Sequence, residues 1–169
     1  MFYMKKILII LALFLVSGLF IPYNVMAISE EQENLVSVNC STIKSKLKKV
    51  QQLDAKVRVY LGSYYEAITT KFIIPMNVRL VENNLSTAEM VENQNKFAEA
   101  RMVFSNDFVK YQQVLEELIN MNCTAEPEKF YEQLVIVRQK RKIMTQDVLQ
   151  IRTLLSGHVK LVREVMTKL

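Results

Sequence analysis

A stripe that runs from Phe130 to the end of the chain limits its possible folds more than any other feature. Phe130, Leu134, Val137, Arg141, Met144, Val148, Ile151, Leu155, His158, Val162, Val165 and Leu169 alternate steps of four and three, and ten of the twelve are apolar. That spacing keeps one face of a helix turned toward a packing partner and predicts left-handed helix-on-helix packing. Gly157 is the one weak spot, and no proline interrupts the run. Glu126-Pro127 opens the segment, with proline in the first turn, where its missing N–H does no harm.

Two further segments share this character. Ile43, Leu47, Val50, Val57, Leu61, Tyr64 and Ile68 follow steps of three, four or seven, with Asp54 filling the gap and the pattern continuing to Phe72. Ile74-Pro75 then interrupts, because proline cannot donate the helical bond and turns its predecessor away from helical geometry. Met76 to Asn83 is expected as a short, kinked continuation. Ser86-Thr87-Ala88-Glu89 fits a capping box and predicts a second long helix. Its stripe is Met90, Phe97, Phe104, Phe108, Tyr111, Leu115 and Leu118, with Gln94 and Arg101 in register, and it stops near Asn122-Cys123. The alternation expected of strands is nowhere in this part of the chain. The fold class is therefore all-α.

Residues 1–27 read as a secretory signal. Lys5 and Lys6 give the positive start, Ile7 to Ile21 the apolar run, and Val25-Met26-Ala27 a small-residue cleavage pattern. An uncleaved membrane anchor over residues 7–26 is the alternative; Pro22 and Asn24 suit a cleaved signal better. Residues 28–39 are polar and acidic and are expected to form a mobile or loosely helical spacer. Residues 40–169 form the bundle domain, secreted or tethered outside the cytosol. A processed chain carries 20 basic against 17 acidic residues, a net charge of +3, which falls well short of a nucleic-acid footprint.

Export changes how Cys40 and Cys123 are read. They are the only two cysteines, so one intramolecular disulfide is the economical assignment, with two buried thiols as the alternative. A Cys40–Cys123 bond lays the start of the first helix beside the end of the second, so residue i faces roughly residue 163 minus i. The short turn at Thr124 to Glu126 returns the third helix parallel to the first with an offset of about 86. The expected architecture is an elongated up-down-up antiparallel bundle of three long helices.

Polar residues in the seam follow from that register. Asp54 falls level with Lys140 and Arg141, which predicts an Asp54–Arg141 salt bridge that sets alignment. Arg101 falls opposite Gly62, where an absent side chain leaves room, with Glu66 one turn away as counter-ion. His158 is the only histidine and is expected as a packed or partly exposed core residue. Tyr60, Tyr64, Tyr65, Phe72, Phe97, Phe104, Phe108 and Tyr111 are all spaced like core residues. Lys44, Lys46, Lys48, Lys49, Lys56 and Arg58, with Arg138, Lys140, Arg141 and Lys142, make the disulfide half basic, while Glu116 and Glu117 are set to neutralise part of it.

No nucleophile–base pair, metal-ligand set, P-loop, dinucleotide fingerprint or CxxC pair is present, so neither an enzyme nor a cofactor is expected. Ile136, Ile143, Leu154 and Leu161 form an outer apolar strip suited to self-association or a protein partner. The basic half suits weak contact with an anionic envelope polymer or lipid. The expected role is that of a spacer, adaptor or interaction rod of the cell envelope; the alternative is an extracytoplasmic binding bundle for an apolar or anionic ligand. Tyr65-Glu66-Ala67-Ile68, Lys71-Phe72-Ile73, Pro75, Asn77, Arg79-Leu80 and Asn83, together with the Cys40 and Cys123 ends, resemble uncharacterised exported helical proteins of small-genome candidate-phylum bacteria. That resemblance covers most of the chain after the signal and implies an envelope setting without an activity.

Overall fold

The computed structural model describes residues 28–85 and 88–167, and every regular element in them is helical. The secretory signal read at residues 1–27, the first half of the capping box at Ser86 and Thr87, and the last stripe position Leu169 lie outside the described residues. In chain order the elements are α1 (Glu30–Val38), α2 (Cys40–Ile68), a π-helical turn (Thr69–Ile73), α3 (Ile74–Glu82), α4 (Ala88–Asn120) and α5 (Pro127–Met166). Among the described residues no helix is long and apolar enough to cross a membrane.

The segment expected as a spacer is an ordered helix. Ser29 caps α1 reciprocally with Gln32, and Glu30, Glu31 and Glu33 sit in the first turn, where the helix dipole favours negative charge. Its inner side docks, because Val36 is buried and Ser37 Oγ donates to the Thr124 carbonyl at 3.4 Å. Asn39 leaves helical geometry and α2 begins at Cys40.

Proline reshapes the far end of α2. The Thr69 and Thr70 hydroxyls donate back to the Tyr65 and Glu66 carbonyls, a habit that bends helices. The Ile74 N–H then bonds five residues back to Thr69, a widened turn that lets Pro75 enter α3 in its first turn without a clash. α3 ends at Asn83. Asn84 takes φ 56°, a left-handed position that asparagine tolerates, and the Leu85 N–H closes on the Leu80 carbonyl.

The main core lies between α4 and α5. Phe97, Phe104, Phe108, Tyr111, Leu115 and Leu118 of α4 bury against Phe130, Val137, Met144 and Ile151 of α5. Gln133 donates to the Val114 carbonyl and to Glu117, and Gly157 lies against Asn93, so the two helices stay in contact along their length. Asn122 accepts from the Thr124 and Ala125 N–H groups and shapes the turn between them. α2 is held differently. Cys40 is bonded to Cys123 with Cα atoms 5.5 Å apart, Lys44 Nζ donates to the Met121 carbonyl, and Tyr65 meets the Phe97 ring edge-on. Beyond these ties α2 leans on α4 and stands off α5.

Candidate functional site

The gap between α2 and α5 is bridged by one polar cluster. Arg141 Nε and Nη2 donate to the two Asp54 carboxylate oxygens at 2.9 Å each, a forked geometry that fits guanidinium to carboxylate. Tyr111, fully buried on α4, donates its hydroxyl to Asp54 Oδ2 at 2.6 Å. Asp54 is nearly enclosed while Arg141 is half exposed. Burial, then the hydrogen bond to Asp54, drives the Tyr111 phenol far above its ordinary range, so it stays a donor. Periodicity put Tyr111 in the core as a ring and gave no sign of its hydroxyl partner.

Arg101 meets the counter-ion that its register suggests, Glu66, and adds a second partner. It donates to Glu66 Oε2 at 2.6 Å and to Thr69 Oγ1 at 3.0 Å. Gly62 supplies no special room for it, because a Cβ built there meets nothing within 4 Å. The two residues only share the wall of a surface groove of about 640 Å³.

His158 is buried, and neither ring nitrogen has a partner among the described residues. Burial pulls its pKa below 6.5 and keeps the ring neutral. Two buried polar groups escaped the sequence reading. Asn77 Nδ2 donates to Gln94 Oε1 at 2.7 Å, fastening α3 to α4. Asp147 is buried with one oxygen unpartnered, and burial followed by the nearby Asp107 carboxylate raises its pKa. Both occupy core-facing positions where helical spacing admits any residue type. Among the described residues no group of three His, Cys, Asp or Glu side chains is placed to hold a metal.

The aromatic residues divide, which corrects the expectation that all of them are core. Tyr65, Phe97, Phe104, Phe108 and Tyr111 are buried, whereas Tyr60, Tyr64 and Phe72 are exposed, Tyr60 to 69 %. With Leu53 and Val57, also exposed, they form an unpaired apolar face on α2 and its π turn. The Tyr60 and Tyr64 rings lie parallel with centroids 6.3 Å apart. The cause is the gap: Ile43, Leu47, Leu61 and Ile68 of the α2 stripe pack on the core, while the side of the helix turned toward α5 is left uncovered. On the outer strip of α5, Ile136 and Ile143 are exposed while Leu154 and Leu161 are half-buried.

Two concavities follow the α2–α5 gap. One of about 350 Å³ is floored by Phe104 and Phe108 and walled by Val57, Leu61, Arg141 and Val148. The other, about 360 Å³, lies between Tyr64, Ile68 and Phe72 on one side and Leu155, His158 and Val162 on the other. Arg58 stands over the Phe108 ring at 5.6 Å, between this gap and the groove that Arg101 lines. The chain matches no known protein family, no curated protein and no solved structure.

Proposed function

We propose that this is an exported, non-enzymatic helical-bundle protein of the cell envelope that works by binding another protein along the α2–α5 gap. In this reading residues 1–27 direct export and the three long helices run up, down and up. α2 and α5 then form two walls of a bundle that lacks a fourth helix. The carrying observation is the exposed face of Leu53, Val57, Tyr60, Tyr64 and Phe72 beside a gap floored by buried aromatic rings. Such a face is costly to leave in water and suits a partner helix read at helical spacing. The disulfide fits an oxidising compartment and supports the extracytoplasmic setting.

The test is a photo-crosslinking residue at position 60 in intact producing cells, with position 136 as control. A discrete crosslinked protein from position 60 alone supports the reading. Adducts at both positions with the same bulk proteins, or none at either, remove it.

A second reading, an extracytoplasmic binding bundle for an apolar or anionic ligand, draws on the groove lined by Tyr65, Arg58 and Arg101. It predicts a small molecule co-purifying with the protein under native conditions, detected by mass spectrometry after denaturation.

A further inference from the structure

The charges along the gap specify its occupant more narrowly than its apolar walls do. Residues seven apart lie on one line of a helix, so the lining residues define rows. On α5 the row of Arg141, Val148, Leu155 and Val162 forms the wall, and Thr145 and Val159 also line the gap. Thr145 and Val159 share their row with Arg138 and Arg152, both exposed on the rim. On α2 the exposed row of Leu53 and Tyr60 continues back to Lys46. These residues include no acidic side chain, and Asp54, on the neighbouring α2 row of Leu47 and Leu61, is already held by Arg141 and Tyr111. Among the described residues no carboxylate lies within salt-bridge distance of Lys46, Arg138 or Arg152.

Resting on the interaction reading above, we infer that the occupant is an amphipathic helix of another protein with an apolar face and acidic flanks. From the level of Asp54 and Arg141 to that of Phe72 and Val162 the gap runs about 30 Å, which a helix of roughly 20 residues fills at 1.5 Å per residue. Its apolar side chains enter the two concavities and cover Tyr60, Tyr64 and Phe72. Its Asp and Glu side chains meet Arg138 and Arg152 on one rim, and an extension of about two turns toward the disulfide end reaches Lys46. A second copy of this chain presenting the same face would set these cations against themselves. Complementary rims of this kind choose between partners chiefly by penalising like charge.

The test uses the chain as processed by an exporting host and two designed 21-residue helical peptides. Both carry the same leucine face; one has Glu and the other Lys on its flanks. Titration is followed by fluorescence anisotropy at low salt. The Glu peptide is expected to bind at least tenfold tighter than the Lys peptide, and this difference should shrink in 1 M NaCl. Arg138→Glu with Arg152→Glu, both exposed, should reverse the preference, and Tyr60→Ser with Tyr64→Ser should weaken both peptides. Equal binding of the two peptides overturns the charge assignment and leaves the interaction reading standing. If neither peptide binds a monomeric protein, both readings are overturned. A dimer dispersed by Tyr60→Ser with Tyr64→Ser makes a second copy the occupant and overturns this inference alone. Capture by phosphatidylglycerol vesicles, abolished by the same pair, when neither peptide competes, makes a lipid surface the occupant and overturns both readings.

Discussion

Tyr111 and Asp54 share a 2.6 Å hydrogen bond between a ring wholly closed to solvent and a carboxylate at the edge of the α2–α5 gap. This bond carries the core of the α4–α5 pair outward to α2, beside the apolar contacts of Ala55 and Leu61.

Removing Asp54 strands two donors at once. Asp54→Ala is expected to lower stability by about 2 to 3 kcal/mol, because it leaves a buried phenol and a guanidinium without their acceptor. Tyr111→Phe should cost about 1 kcal/mol, and Arg141→Ala no more than that, since Arg141 is half exposed and water replaces much of what it loses. Urea unfolding of the three variants checks the order.

Two buried titratable groups impose opposite pH dependences. His158 is held below 6.5 by burial, so the native ring stays neutral while the unfolded chain takes up a proton as pH falls through 6.5. Stability from this group is full above that value and declines on acidification until the native ring itself titrates. His158→Leu should therefore raise stability more at pH 5 than at pH 8. Asp147 is raised above 3.8, by burial first and Asp107 second, so its contribution is full below 3.8 and is lost as pH rises through the native value. Asp147→Asn should raise the urea midpoint at pH 7 and leave it unchanged near pH 3. Denaturation midpoints measured across pH 3 to 8 separate the two.

Both mid-helix glycines are open to improvement. A Cβ at Gly62 meets nothing within 4 Å, and one at Gly157 meets only Asn93 Nδ2 at an ordinary 3.5 Å. Neither glycine has positive φ. Each Gly→Ala change should stabilise the protein by roughly 0.5 to 1 kcal/mol, read as a rise in melting temperature.

Opening the disulfide should matter more than any of these. The bond spans 83 positions, and in the chain-entropy model a loop of that size is worth about 4.5 kcal/mol. Cys40→Ser with Cys123→Ser should lower the unfolding free energy by up to that amount. Cys123 is wholly buried, so dithiothreitol should reduce the native protein far more slowly than the protein in urea, as read by thiol alkylation.

The sequence announced some features more clearly than others. The α5 stripe was legible because ten apolar positions at a 3.5-residue period leave few alternatives. The pairing of Asp54 with Arg141 followed from the offset that one disulfide imposes, and the structure brings these residues together at a separation of 87. Exposure was not legible. Tyr64 and Tyr65 both have core-like spacing, yet Tyr65 meets Phe97 while Tyr64 faces the gap. Periodicity identifies the inner side of a helix but not the distance to its neighbour. The π turn was hidden for a related reason, since Pro75 marks a break without saying how the turn before it absorbs the strain. Asn77, Asp147 and the hydroxyl of Tyr111 were missed because a polar group's partner depends on which helices meet, a tertiary fact.

The sulfur bridge also makes the backbone from Cys40 to Cys123 a closed covalent ring. Asn83 and Asn84, the exposed bend after α3, lie inside it, so a protease that nicks the chain there breaks one peptide bond without separating the halves. A molecule clipped there keeps both pieces joined and retains the face on α2 beside α5. A cut in the second half of α5, outside the ring, sheds a fragment and dismantles one side of the gap.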